Sequence, residues 1–168
     1  FLKECNNLLN RPLLERKKVG MRLLATSREA LRRILFLSYA YRITGDEIYF
    51  QRAEEELLTV CRFSDWNPSH FLDVGEMVMA LSIGYDWLYG DLNQETRYIV
   101  REAILKKGLD AAAPDAWFYG ADSNWNSVCN AGLLYGALAI FEDIPDKAKK
   151  NIEKCLSSNP KALAAYGP

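Results

Sequence analysis

The residues best suited to chemistry fall in two loops that are rich in aromatic and amide side chains. The first loop, residues 64–71, reads Ser-Asp-Trp-Asn-Pro-Ser-His-Phe and holds the single histidine of the chain. The second loop, residues 114–126, ends in Asp-Ser-Asn-Trp-Asn. Aromatic faces with amides between them suit sugar rings, because the ring faces stack and the amides bond hydroxyl and carboxylate groups. The candidate binding residues are Trp66, His70, Tyr119, Asp122, Asn124, Trp125 and Asn126.

Each of these candidates also has a structural explanation. Asn124 stands where it could cap a helix, since asparagine is a favoured N-cap residue. Trp125 could equally pack in a hydrophobic core, and His70 could stabilise its own loop through a hydrogen bond. The sequence leaves both explanations open for each residue.

Other kinds of catalytic site have no basis in the sequence. There is no GxSxG nucleophile turn, no HExxH zinc motif and no glycine-rich phosphate loop. The cysteines are widely spaced and form no CxxC pair, which argues against a zinc site and against a disulfide framework. They are Cys5, Cys61, Cys129 and Cys155. We therefore predict no metal ion and no cofactor.

The composition is that of an ordinary globular protein, with 49% hydrophobic and 26% charged residues. A length of 168 residues suits one domain with a sizeable core, which we place at residues 1–168. The formal net charge is −1, and the basic residues between Arg11 and Arg33 are interpreted as a solvated face rather than an anion-binding patch. Neither a nucleic-acid partner nor a membrane partner is predicted.

The elements that must position the two loops are helices throughout, so the predicted fold class is all-α. Residues 1–25 are predicted to form a short helix and an arm, and residues 26–168 to form three antiparallel helical hairpins. The short turns within the hairpins are Gly45-Asp46, Gly90-Asp91 and Glu142-Asp143. The longer connections between hairpins carry the two loops, which should therefore lie on one rim of a helical toroid or solenoid.

One predicted helix, residues 124–139, is apolar and rich in small residues. A helix that is apolar all round is a buried helix, so we expect it at the centre of the fold. Its uninterrupted apolar part is shorter than a bilayer span usually needs. For the other helices, Thr26 or Ser27 is the expected N-cap of the second, and the helix that follows Asn93 is expected to reach Ala113.

Four stretches of the chain, in this order, resemble the heparinase II/III-like polysaccharide lyases. They are LFLSYAYRITGD at 35–46, HFLDVGEM at 70–77, IGYDWLY at 83–89 and SNWNSVCNAG at 123–132. The resemblance covers essentially the whole chain. It implies part of an incomplete α/α toroid, also seen in chondroitin AC and alginate lyases, which β-sandwich domains follow in that family.

The resemblance also implies a reaction, namely β-elimination on uronic-acid polysaccharides such as glycosaminoglycans or alginate. In that family an asparagine in the loop before the central helix neutralises the uronate carboxylate, and a tyrosine or histidine takes the adjacent proton. Asn124 is the matching position, with Asn126 as the alternate register. The scheme needs no metal, and the partner it implies is an acidic polysaccharide or oligosaccharide.

The chain departs from the family pattern near its end. The family's catalytic tyrosine and a further histidine follow the asparagine at some distance, whereas this chain stops at Pro168 and Tyr166 is a poor candidate. We therefore expect one wall of an active site that is inactive alone, with the rest of the toroid and a β-rich domain in the parent protein. The resemblance implies a periplasmic or secreted location.

Two other functions remain open at the level of sequence. One is a non-catalytic α/α repeat module that binds glycan or protein, since a fold does not determine a function. The other is part of an α/α-barrel glycoside hydrolase, which needs two carboxylates flanking the scissile bond. The available carboxylates are Asp73, Glu76, Asp86 and Asp122, and no spacing selects a pair.

Overall fold

Helices make up most of the chain in the computed structural model, which describes residues 1–165 and 167. The α-helices are α1 (Leu2–Leu9), α2 (Leu24–Thr44), α3 (Glu47–Cys61), α4 (Leu72–Leu88), α5 (Gln94–Ala103), α6 (Asn124–Ala139), α7 (Pro145–Ser158) and α8 (Pro160–Ala165). A π-helical turn, Ile104–Gly108, continues α5, and short 3-10 turns lie at Pro68–His70, Leu109–Ala111 and Trp117–Gly120. No strand occurs within the described residues, so the all-α prediction is confirmed.

The helices form two layers with α4 at the centre of the first. Helix α4 packs against α2 on one side and α6 on the other. In the second layer, α3 packs on α2, the π-helical turn after α5 packs on α4, and α7 packs on α6. The hairpins are thus α2–α3, α4–α5 and α6–α7, as the short turns predict.

The turns between paired helices follow local sequence signals. Gly45 ends α2 in the left-handed conformation at φ 70°, and its N–H donates to the Tyr41 carbonyl. Asp46 then caps α3 by accepting a hydrogen bond from the Ile48 N–H at 3.2 Å. Asn93 caps α5 in the same way, from the Thr96 N–H at 2.8 Å. These caps satisfy backbone groups that a helix end otherwise leaves unpaired.

Helices α4 and α6 approach each other closely because both carry glycine at the crossing. A Cβ placed on Gly132 would lie 2.2 Å from the carbonyl oxygen of Gly75, so a methyl group cannot fit between the backbones. A Cβ on Gly75 would in turn lie 3.0 Å from the Val128 carbonyl oxygen. The small residues noted in the sequence therefore set the distance between these two helices.

The expectation that α6 is buried all round was wrong. Tyr135 is 46% exposed and Leu138 is 55% exposed, so one side of α6 faces solvent. Helix α4 is the more enclosed of the two, since α2 and α6 cover both of its flanks. Apolar composition alone does not show whether a neighbour covers every face of a helix.

Two helix boundaries also differ from the expectation, and tertiary contacts explain both. Helix α2 begins at Leu24 rather than after a Thr26 or Ser27 cap, because the Leu23 N–H is bound by the buried Asp73 carboxylate at 2.6 Å. Regular α5 ends at Ala103, and the π-helical turn that follows brings the Lys107 ammonium to the carbonyl oxygen of Cys61 at 2.5 Å. A final helix, α8, extends past the expected stop at residues 159–160. Tyr166 lies outside the described residues.

Candidate functional site

The two loops singled out in the sequence meet in space. The ring centroids of His70 and Trp125 are 4.8 Å apart in an edge-to-face arrangement. The rings of Phe71 and Phe118 stack with centroids 4.7 Å apart. The prediction that both loops lie at the same end of the helical hairpins is therefore confirmed.

The solvent-facing part of this region, which we call the aromatic rim, consists of the half-buried His70 and Trp125 and the exposed Trp117 and Asn124. The rings of Trp117 and Trp125 lie 4.9 Å apart, and Trp117 is 62% exposed. Asn124 is exposed and is the first residue of α6. The N-cap is Ser123, and no side chain makes a capping hydrogen bond there, so the capping explanation for Asn124 does not hold. Asp122 is exposed one residue before that cap.

His70 is held in place by a buried carboxylate. Nδ1 of His70 lies 2.8 Å from Oδ1 of Asp73, whose side chain is fully buried. Oδ2 of Asp73 accepts hydrogen bonds from the Leu23 N–H at 2.6 Å and from the Asn67 side-chain amide at 2.7 Å. Because a carboxylate with these partners acts as an acceptor, the hydrogen-bond network assigns the neutral ring's proton to Nδ1. Nε2 is then left with a lone pair that can accept a hydrogen bond or a proton.

The loop that carries His70 is fixed by further polar contacts. Asn67 adopts the left-handed conformation at φ 62°, and its amide also donates to the Met21 carbonyl at 2.8 Å. Its backbone N–H donates to Asp65 at 2.7 Å, and Arg16 donates to the same carboxylate at 2.6 Å. Burial raises the pKa of Asp65, but the hydrogen bonds from Arg16 and Asn67 outweigh it and leave the pKa below its ordinary value. The N-terminal arm and the loop thus hold each other in one conformation.

Asp73 is the residue that the sequence analysis did not assign to this site. In the sequence Asp73 is one of four carboxylates available to a glycoside hydrolase, whereas the structure places it under His70 as the group that orients the imidazole. The signal available in the sequence was the spacing of His70 and Asp73, three residues apart at the start of α4. That spacing puts two side chains on the same face of a helical turn.

Trp66 and Asn126, both expected in a cleft, instead lie in the interior. Trp66 is fully buried, and its ring N–H donates to the Val60 carbonyl at 3.0 Å. Asn126 is fully buried, and its amide nitrogen lies 3.1 Å from the Phe118 carbonyl and 3.0 Å from the Ser158 hydroxyl. Their polar atoms are already paired within the protein, so neither side chain is available to a ligand in this conformation.

Tyr119 also belongs mainly to the interior. It is 9% exposed, and burial raises the pKa of its phenol far above the ordinary value. Its ring packs against Phe118 with centroids 4.5 Å apart, and the Lys154 ammonium lies 4.7 Å from its centroid. Tyr119 therefore supports the second loop from beneath.

Next to the rim, the uncovered sides of α2, α4 and α6 form an apolar surface that we call the open groove. Its two cavities measure about 490 and 460 Å³. The main lining residues are Leu31, Leu35, Glu76, Met79, Ile83, Asp86, Trp87, Val128, Ala131, Tyr135 and Leu138. Glu76 follows Asp73 by three residues and pairs with Arg28 at 3.0 Å, so the groove begins one helical turn from the rim. The sequence analysis did not identify this surface.

The described thiols and carboxylates form no metal-binding cluster, and the thiols are not activated. Among the described residues no group of three or more His, Cys, Asp or Glu side chains is placed to hold a metal ion. All four cysteines are free and buried, and burial raises the pKa of Cys61 and of Cys129 to about 12. A thiol with a raised pKa is a weak nucleophile at neutral pH. Across the described part of the chain, every helix is too short or too polar to cross a membrane.

No protein-family model and no curated protein matches this chain.

Proposed function

We propose that this chain forms one wall of a saccharide-binding cleft in a polysaccharide lyase of the heparinase II/III-like kind. The substrate class is a uronic-acid-containing polysaccharide, and the reaction is β-elimination. The observation that carries the proposal is the exposed Asn124 directly before Trp125, a residue whose ring packs against those of His70 and Trp117. The four sequence stretches that resemble this lyase family also support it.

In this proposal Asn124 binds the uronate carboxylate. Removal of the proton next to that carboxylate builds negative charge on its oxygens, and an amide N–H donor stabilises that charge. Asn124 makes no side-chain hydrogen bond to another described residue, so its amide is free to bind a ligand. In the family that this chain resembles, the proton transfers belong to a tyrosine and a histidine that come later in the sequence than the asparagine.

His70, Trp117 and Trp125 bind the sugar rings. The indoles offer flat apolar faces that stack on the carbon face of a pyranose. The imidazole of His70, oriented by Asp73, offers Nε2 to a sugar hydroxyl. The open groove beyond the rim has room for further sugar units, since its cavities together run along α2, α4 and α6. Asp122 is the remaining candidate at the edge of this cleft.

The helical arrangement suits this role. Helices α2, α4 and α6 lie side by side with their uncovered faces together, and α3, α5 and α7 lie behind them. This is the order of inner and outer helices expected for a segment of an α/α toroid, with the open groove on its inner side. The remaining toroid, a β-rich domain and a periplasmic or secreted location are parts of the same proposal, and they rest on the family resemblance.

A glycoside hydrolase is the weaker candidate. It needs two carboxylates that can reach the substrate. Asp73 is fully buried with both oxygens bonded, and Glu76 is paired with Arg28. Asp86 and Asp122 remain, but Asp86 lies near the far end of α4, about 20 Å along that helix from the end next to the rim. This separation exceeds the roughly 5–10 Å between the two carboxylates of a glycoside hydrolase. A non-catalytic glycan-binding module would use the same aromatic rim, so catalysis has to be tested separately from binding.

Binding can be tested on this chain by titration calorimetry with oligosaccharides of alginate, pectate, hyaluronan and chondroitin. Replacing Trp117, an exposed ring, by alanine should weaken binding about two- to tenfold, the range expected from one aromatic contact. Tyr98→Ala is the matched control, because Tyr98 is 56% exposed but lies on α5. Equal effects of the two substitutions, or no saturable binding to any acidic oligosaccharide, would refute the proposed site.

A further inference from the structure

A second cleft lies between α7 and the chain segment that precedes the rim. Its volume is about 460 Å³. One wall carries Lys147, Lys150, Asn151 and Lys154 of α7, and the other carries Leu109, Asp110, Ala112, Pro114 and Tyr119. We call it the lysine cleft. It shares no residue with the aromatic rim.

The charges in the lysine cleft are only partly balanced. Lys147 forms an ion pair with Asp110, the acidic residue of the opposite wall. Lys154 donates to the Pro114 carbonyl at 2.5 Å and lies over the Tyr119 ring, but it has no carboxylate partner among the described residues. Lys150 has neither a hydrogen bond nor an ion pair within the described part of the chain. Two ammonium groups of the cleft therefore have no counter-charge among the residues that the structure describes.

The spacing of these lysines concentrates the unbalanced positive charge on one face of α7. Lys150 and Lys154 are four residues apart on α7, so they lie on the same side of the helix, where like charges repel. The acidic Glu153 of α7 faces away from the cleft and lies 4.0 Å from Lys149. The Lys161 ammonium of α8 adds positive charge nearby, since it donates to the Tyr119 carbonyl at 3.4 Å. An anion between Lys150 and Lys154 would relieve their repulsion.

We propose that the lysine cleft is a second binding site, which takes an oxyanion group carried by an organic ligand. Sulfate, phosphate and carboxylate groups share the required chemistry, because each accepts charge-assisted hydrogen bonds from ammonium groups. Lys150 and Lys154 bind the oxyanion, and Asn151 lies beside them to bond an adjacent polar group. The apolar wall of Leu109, Ala112 and Pro114 contacts the carbon skeleton of the ligand. This assignment does not depend on the proposed lyase activity.

The test is titration calorimetry of this chain with a sulfated disaccharide, with the same disaccharide lacking sulfate, and with inorganic sulfate. We expect saturable binding of the sulfated disaccharide that weakens as salt is added. Lys150→Gln should weaken it about three- to tenfold. Lys149→Gln is the matched control, because it removes the same charge from a position of α7 that does not line the cleft. Lys150 makes no contact that the fold requires, so its variant should melt like the parent chain.

Each outcome decides the proposal. Equal weakening by Lys149→Gln and Lys150→Gln would show diffuse attraction and overturn a specific site. Inorganic sulfate that binds as tightly as the sulfated disaccharide would overturn the role of the apolar wall. Loss of binding with Trp117→Ala and none with Lys150→Gln would place the ligand at the aromatic rim and overturn the lysine cleft. Loss with Lys150→Gln alone supports the lysine cleft, whatever becomes of the lyase proposal.

Discussion

Substitution of Asp73 tests whether this carboxylate orients the His70 ring. In the Asp73→Asn variant, the new side chain has the same shape but one acceptor oxygen and one amide donor. The oxygen can keep the bonds from the Leu23 N–H and the Asn67 amide, now at Oδ2. The amide then faces Nδ1 of His70, which must accept rather than donate. The proton of the neutral ring is therefore expected to move from Nδ1 to Nε2.

The cost of this change follows from the bonds to the carboxylate. Three hydrogen bonds to a charged acceptor become neutral ones, and each loses about 1 kcal/mol, so the free energy of unfolding should fall by about 3 kcal/mol. For a domain of this size that lowers Tm by about 6–12 °C. Asp73→Ala should cost more, because it leaves the Leu23 N–H and the Asn67 amide without acceptors in the interior.

Two measurements check this reasoning. Nitrogen-15 chemical shifts of the single imidazole report which ring nitrogen carries the proton, and thermal unfolding reports the stability. An unchanged Nδ1–H tautomer in Asp73→Asn would refute the assigned hydrogen-bond network. A variant as stable as the parent would show that the buried carboxylate does not hold the arm and the loop together.

Three further predictions concern catalysis, packing and pH. In an active protein that contains this chain, Asn124→Ala should lower turnover about 10²- to 10³-fold, as measured by the ultraviolet absorbance of the unsaturated product. Its Tm should stay unchanged, because Asn124 makes no capping bond. Ser123→Ala, at the neighbouring N-cap, is its control, and a fully active Asn124→Ala variant would remove that residue from the mechanism. Gly132→Ala should lower the free energy of unfolding in urea by about 3 kcal/mol, because its Cβ would lie 2.2 Å from a backbone oxygen of α4. Gly90→Ala is the control and should change the stability little, since no atom lies within 4 Å of a Cβ placed there. Equal losses in the two variants would contradict the close approach of α4 and α6. Burial raises the pKa of Glu29, but hydrogen bonds from Arg33 and Arg32 hold this pKa below its ordinary value of 4.5. The contribution of Glu29 to the free energy of unfolding is therefore present above pH 4.5 and is lost as the pH falls through the lower pKa of the folded state. Glu29→Gln should therefore flatten the acid loss of stability, and an identical acid profile in that variant would rule out this contribution.

The elements of the fold were predictable because their signals are local. The stop at Gly45 and the caps at Asp46 and Asn93 follow from residues within a few positions of each boundary. The meeting of the two loops was also predictable, since short turns make antiparallel hairpins and the longer connections then share one end.

The roles of individual polar residues were not predictable, because they depend on contacts between distant parts of the chain. Asp73 orients His70 only because the N-terminal arm brings the Leu23 N–H to the same carboxylate, fifty residues away along the chain. The π-helical turn after α5 likewise depends on carbonyls of α3 that Lys107 reaches.

Asn124 and Asn126 show most directly what the sequence determines and what it does not. The sequence places both at the start of one helix, where two residues span about 200° of rotation, so the two amides must face opposite sides. Which side is covered depends on the neighbours of α6. The 3-10 turn before the helix and Ser158 of α7 enclose Asn126. No neighbour covers the side of Asn124, and it is exposed beside the aromatic rim. The helical period thus places the two amides on opposite sides of α6. The packing of α7 and of the second loop buries Asn126 and leaves Asn124 exposed to solvent.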